Sequence, residues 1–128
     1  MKVLRKNKDA HILSNFEVFK LLNELKTSSG TQGHSSNLAT IVYETSHYLQ
    51  DEPCGKQNAA SIDKMLTHLD QFPVQLTKME KLMIVNNVPS TSLELSLAIK
   101  YADERLNEEQ IEELTQTVTQ EFSNCFVE

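Results

Sequence analysis

Four histidines (His11, His34, His47, His68) and two cysteines (Cys54, Cys125) are the side chains best suited to hold a metal or to act as base and nucleophile. Their spacing favours neither role. Zinc draws on ligands in close pairs, and these six residues are scattered; His47, Cys54 and His68 could meet only through the fold. Nothing marks out a Ser/His/Asp or Cys/His arrangement. The tract Ser28-Ser29-Gly30-Thr31-Gln32-Gly33 lacks the Lys and the preceding strand of a phosphate loop. Glu108/Glu109 and Glu112/Glu113 read as a solvated helix face, or as an acidic docking surface for a basic partner. The chain is therefore expected to be no enzyme, and to hold neither metal nor cofactor.

The elements that would carry these residues are explicit. Ser14-Asn15-Phe16-Glu17 is a capping box, in which the Ser hydroxyl and the Glu carboxylate each accept from the other's backbone amide. Val18, Leu21, Leu22 and Leu25 follow at helical spacing, so a first helix is expected from Phe16 to Lys26. The Gly/Ser/Thr tract Thr27 to Asn37 reads as a mobile loop. A second helix carries Leu38, Ile41, Val42, Tyr48 and Leu49 on one side and stops at Asp51-Glu52-Pro53. A third, Ala59 to Gln71, carries Ile62, Met65, Leu66 and Leu69.

Three further start signals lie between Leu76 and Leu114. Thr77-x-x-Glu80 opens a fourth helix with the stripe Met79, Leu82, Met83, which ends at Asn86-Asn87-Val88-Pro89. Thr91-x-x-Glu94 opens a fifth, expected to run to Arg105. Its Leu93, Leu95, Leu97 and Ile99 also alternate as in a strand, but the Ser/Thr start and the length favour a helix. Asn107-x-x-Gln110 opens a sixth, with Ile111, Leu114, Val118 and Phe122 inward. Met1 to Leu4 could be a strand, either frayed or added to the sheet edge of a partner.

With 128 residues, 39% apolar content, three Gly and three Pro, the chain suits one helical domain. Two cysteines cannot build a disulfide framework, and there is no signal-peptide pattern or membrane-length apolar run. A soluble intracellular protein with no membrane contact is expected. Residues 80–128 carry three Lys/Arg against ten Asp/Glu, a surplus that repels phosphate, so any nucleic-acid contact should be weak or indirect.

The string Leu13-Ser14-Asn15-Phe16-Glu17-Val18-Phe19-Lys20-Leu21-Leu22 strongly resembles the N-terminal signature of the small stalk subunits of RNA polymerase III. In mammals these are also called the calcitonin gene-related peptide receptor component. Leu76-Thr77-Lys78-Met79-Glu80-Lys81-Leu82, Asn86-x-x-Pro89 and Arg105-Leu106-x-Glu108-Glu109-Gln110-Ile111-Glu112 agree, in the right order. The likeness covers nearly the whole chain and is weakest between Thr27 and Ile62.

The resemblance implies an all-α fold. A five-helix domain similar to the helicase-and-RNase-D C-terminal type would follow an N-terminal strand and helix. The expected boundaries are 1–27 for partner docking, 28–37 for a flexible loop and 38–128 for the bundle. It further implies a heterodimer with a larger, barrel-containing stalk subunit, attached to the polymerase III core in the nucleus, or partly in the cytoplasm. Docked initiation factors would support synthesis of tRNA and 5S rRNA. The implied interface residues are Val3, Leu4, Leu13, Phe16 and Phe19, with the Asn86-to-Pro89 turn and the helix that follows it as a second contact region. The alternatives are a stand-alone helical adaptor or nucleic-acid-binding module, and the stalk subunit of another RNA polymerase.

Overall fold

The computed structural model describes residues 11–27 and 36–126. The capping boxes start their helices as the sequence predicts. Ser14 Oγ accepts the Glu17 amide at 3.2 Å while Glu17 Oε1 accepts the Ser14 amide at 3.0 Å, which starts α1 (Asn15–Thr27). Thr77 and Glu80 form the same reciprocal box at α4 (Lys78–Asn87), and Asn107 and Gln110 at α7 (Glu108–Glu121). Asn58 and Thr91 cap α3 (Ala59–Gln71) and α5 (Ser92–Ala98) through single side-chain bonds. Each bond occupies an amide that the first helical turn leaves without a partner.

α2 spans Ser36–Gln50, a four-residue α6 spans Ala102–Arg105, and short 3-10 turns follow α2 (Pro53–Lys56) and α7 (Ser123–Phe126). This corrects the expected architecture of a five-helix domain preceded by a strand and a helix. The described residues hold seven α-helices and no strand, while the proposed strand Met1 to Leu4 lies outside them.

The fifth predicted helix does not run unbroken to Arg105. It ends at Ala98, and Tyr101 adopts a left-handed conformation (φ 57°) before α6 begins. The reason is tertiary. The Lys100 N–H donates to Glu80 Oε2 at 2.8 Å, and the Lys100 carbonyl accepts from Arg105 Nη1 at 2.8 Å. Groups that would continue the helix are engaged by a neighbouring segment instead.

The core gathers Ile62, Met65 and Leu69 of α3, Ile84 and Val85 of α4, Leu95 of α5, and Leu114 and Val118 of α7, closed by Phe122. α3 and α7 bury the stripes read from their spacing. α4 does not: Met79 and Met83 are exposed, and Ile84 and Val85 face inward. The run Lys78-Met79-Glu80-Lys81-Leu82-Met83-Ile84-Val85 has apolar residues on more than one face, so periodicity cannot choose the inner one. α4 ends with Val88 in the left-handed region at φ 46°, a strained position for a β-branched residue. Burial of the Val88 side chain, with its N–H bonded to the Ile84 carbonyl at 2.9 Å, holds it there.

α1, α2 and the first 3-10 turn pack together beside this core, with Val42, Leu49 and Cys54 buried among them. Gly55 is required in that turn, because a Cβ there would collide with the Gln50 carbonyl at the end of α2. α2 covers only part of its predicted stripe; Val42 and Leu49 are buried, whereas Leu38, Ile41 and Tyr48 face outward.

Candidate functional site

α1 packs against α2 and the first 3-10 turn along one side only. It carries Phe16, Val18, Phe19, Leu21, Leu22 and Leu25, yet none of its residues is fully buried, and Leu21 is exposed. Phe16 packs against the core, whereas Phe19 is half-buried beside a shallow depression that both phenylalanines share with Lys20, Asn23, Glu24 and Thr27. Just before the capping box, Ile12 and Leu13 are 58% and 40% exposed. The capping box forces this placement. Ser14 must adopt the capping geometry, so the residues ahead of it leave the helix axis and project beside the bundle.

Ile12 also lines an apolar groove of about 180 Å³ with Ile62, Leu66, Leu82 and Val85, rimmed by Lys78 and Lys81. That volume is below the ~300 Å³ at which small-molecule sites begin. It suits one or two side chains of a protein partner.

The start of α1 is anchored by a residue far away in sequence. The Asn15 N–H donates to Asn86 Oδ1 at 2.8 Å, tying the first turn of α1 to the end of α4. Asn86 thus serves α1 as a second, long-range cap, a role that the Asn86-x-x-Pro89 spacing does not reveal. Asn86→Ala is expected to destabilise the chain by about 1 kcal/mol. Amide exchange should accelerate selectively in the first turn of α1, and unchanged protection there would count against the anchor.

Of the seven interface residues expected from the sequence, Leu13, Phe16 and Phe19 fall on the α1 edge. Asn86 lies beside it through its bond to Asn15. Pro89 is buried and lines a different depression with Met83, Asn87, Glu94, Leu97 and Ala98. Val3 and Leu4 lie outside the described residues. Ile12, Lys78 and Lys81 join the edge without having been singled out; Ile12, apolar and next to Leu13, was the available signal.

Cys54, Cys125, His47 and His68 each make a contact within the fold. Cys54 is buried, with its thiol donating to the Leu49 carbonyl at 3.2 Å, and Cys125 donates to the Pro53 carbonyl at 3.5 Å. Burial pushes both thiols up from their ordinary range, away from the reactive thiolate. His68 bonds Glu121 at 3.1 Å, joining α3 to α7, and His47 stacks on Tyr43. Among the described residues no three of His, Cys, Asp and Glu gather as a metal site, and no helix is long and apolar enough to cross a membrane.

The most perturbed group is Glu80, which the sequence marked only as half of a capping box. Arg105 grips its carboxylate with both terminal nitrogens, at 2.6 and 3.1 Å, and also donates to the Gln75 carbonyl at 2.9 Å. The Arg105 guanidinium, ahead of the Thr77 and Lys100 amides, holds the Glu80 carboxyl down at about 2, against the opposing effect of burial. The cluster joins the loop before α4, the break after α5, and α6. It supplies rigidity and no chemistry.

The RNA polymerase Rpb4 family matches residues 12–122. The chain is 33% identical to DNA-directed RNA polymerase III subunit rpc9 of Schizosaccharomyces pombe, over 95% of this chain and 99% of that protein. It is 29% identical to the subunit of the same name from Dictyostelium discoideum, over 87% of this chain and 85% of that one.

Proposed function

Because this chain belongs to the RNA polymerase Rpb4 family, as a non-catalytic stalk-type subunit of RNA polymerase III, we propose that it pairs with a larger, barrel-containing stalk subunit. Through that heterodimer it attaches to the polymerase core and serves initiation on genes for small RNAs such as tRNA and 5S rRNA, in the nucleus. The observation that carries this reading is the unfinished burial of α1. A helix with six large apolar residues and none fully buried leaves apolar surface for a partner to cover, and tertiary burial of an apolar face supplies most helix stability.

The mechanism is association. Covering Ile12, Leu13 and Phe19 removes apolar surface from water, and the Ser14 and Asn86 caps hold that surface in place before the partner arrives. Contact with RNA falls to the partner, because the acidic excess of residues 80–128 repels phosphate. Purification of the tagged full-length chain from its own cells, followed by mass spectrometry, tests the reading. Polymerase III subunits should dominate, with the larger stalk subunit in equal amount. Recovery of the chain alone, or with subunits of another polymerase, would overturn it.

A further inference from the structure

The alternation Leu93, Leu95, Leu97, Ile99 acquires a specific meaning in a helix. Residues two apart lie on nearly opposite faces, whereas residues four apart share one. The run therefore splits into two stripes. Leu95 and Ile99 are buried in the core, while Leu93 and Leu97 are 72% and 79% exposed. Folding uses only the inner stripe. The outer one forms a leucine ridge along α5, with a depression on either side. One depression is lined by Met83, Pro89, Glu94 and Ala98, the other by Ser92, Ser96, Glu108, Ile111 and Glu112.

The charged residues that line the two depressions are all carboxylates. Residues 80–128 contain three basic side chains, and each is engaged elsewhere. Lys81 pairs with Asp70 at 2.6 Å, Arg105 with Glu80, and Lys100 lies over the Tyr101 ring. None of them pairs with Glu94, Glu108 or Glu112, which border the ridge.

We propose that the outer face of α5, crested by Leu93 and Leu97 and bordered by Glu94, Glu108 and Glu112, docks a basic amphipathic helix of a partner protein. The partner's apolar stripe covers the leucines and its Lys or Arg residues meet the carboxylates. The border selects this occupant. Phosphate-bearing nucleic acid and anionic lipid are repelled, and a second copy would bring carboxylate against carboxylate. A cationic helix gains both burial and complementary charge. The α1 edge does not include this face, so the two surfaces can be occupied together.

The test uses the isotope-labelled full chain and a synthetic helical peptide with a leucine stripe flanked by lysines, followed by amide shift perturbation and anisotropy. Shifts should cluster on α5, on the start of α7 and around Met83. Leu93→Ser with Leu97→Ser should weaken binding about tenfold or more, and Glu108→Gln with Glu112→Gln should weaken it and flatten its salt dependence. Ile41→Ser, an exposed apolar site on α2, should leave it unchanged. Leu13→Asp with Phe19→Asp should also leave it unchanged, which separates this proposal from that of the α1 edge. Equal binding by the leucine variant, shifts centred elsewhere, equal binding of a glutamate-flanked peptide, or ridge-dependent self-association without peptide binding would each overturn the proposal.

Discussion

Glu80→Ala is expected to lower the unfolding free energy by about 3 kcal/mol, the largest effect of any single polar substitution in this chain. The residue is only 6% exposed, and its carboxylate accepts from the Thr77 and Lys100 amides and from both terminal nitrogens of Arg105. Truncation leaves a partly buried guanidinium without its counter-charge and two amides without an acceptor. Chemical denaturation of the variant and the parent measures the difference. A loss within about 0.5 kcal/mol would show that the cluster contributes no more than a surface pair.

The same carboxyl makes an acid-stability prediction of definite sign. Its folded value is about 2 against an ordinary 4.5. The stabilisation, again about 3 kcal/mol, is fully present above pH 4.5 and is lost as pH falls through the folded value. Glu80→Gln, which cannot titrate, should therefore be less stable than the parent at neutral pH and converge with it towards pH 2. Parallel stability curves across that window would contradict the assignment. Arg105→Lys should restore only part of the stability lost in Arg105→Ala, because an ammonium cannot bridge the Glu80 carboxylate and the Gln75 and Lys100 carbonyls as a planar fork does.

The second large effect is expected at the α1 edge. Leu13→Asp with Phe19→Asp should weaken assembly with the larger stalk subunit by about a hundredfold or more, as expected when two apolar anchors at an interface become charged. Leu13 is exposed and Phe19 half-buried outside the core cluster, so the isolated chain should stay folded and lose no more than about 2 kcal/mol of unfolding free energy. Phe16 is a poorer probe, because it packs on the core and its replacement would lower stability and assembly together. Co-expression with the larger subunit, followed by size-exclusion chromatography, reads the outcome. A variant that still co-elutes with its partner would place the interface elsewhere.

The helix starts were legible because a capping box is local: two side chains and two amides within four residues specify it, whatever the rest of the chain does. The buried stripes of α3 and α7 were legible for a related reason, since each helix has one apolar face and polar residues opposite. α4 was not, because its apolar residues are spread around the helix and only the neighbours could choose a face. The division of the fifth helix was hidden too. Nothing within residues 91–105 announces that Glu80 and Arg105 will take up the backbone groups of Lys100.

At the candidate site the apolar character of Leu13, Phe16 and Phe19 could be read directly, but their division of labour could not. Phe16 supports the core, Leu13 and Phe19 remain available, and Asn86 fastens the helix that carries them. The sequence by itself determined where the helices with capping boxes begin, that helices dominate the described residues, and which family the chain belongs to. Only the tertiary structure decided which apolar residues become core and which stay as surface. Local spacing places a side chain on one face of a helix, but burial depends on what packs against that face.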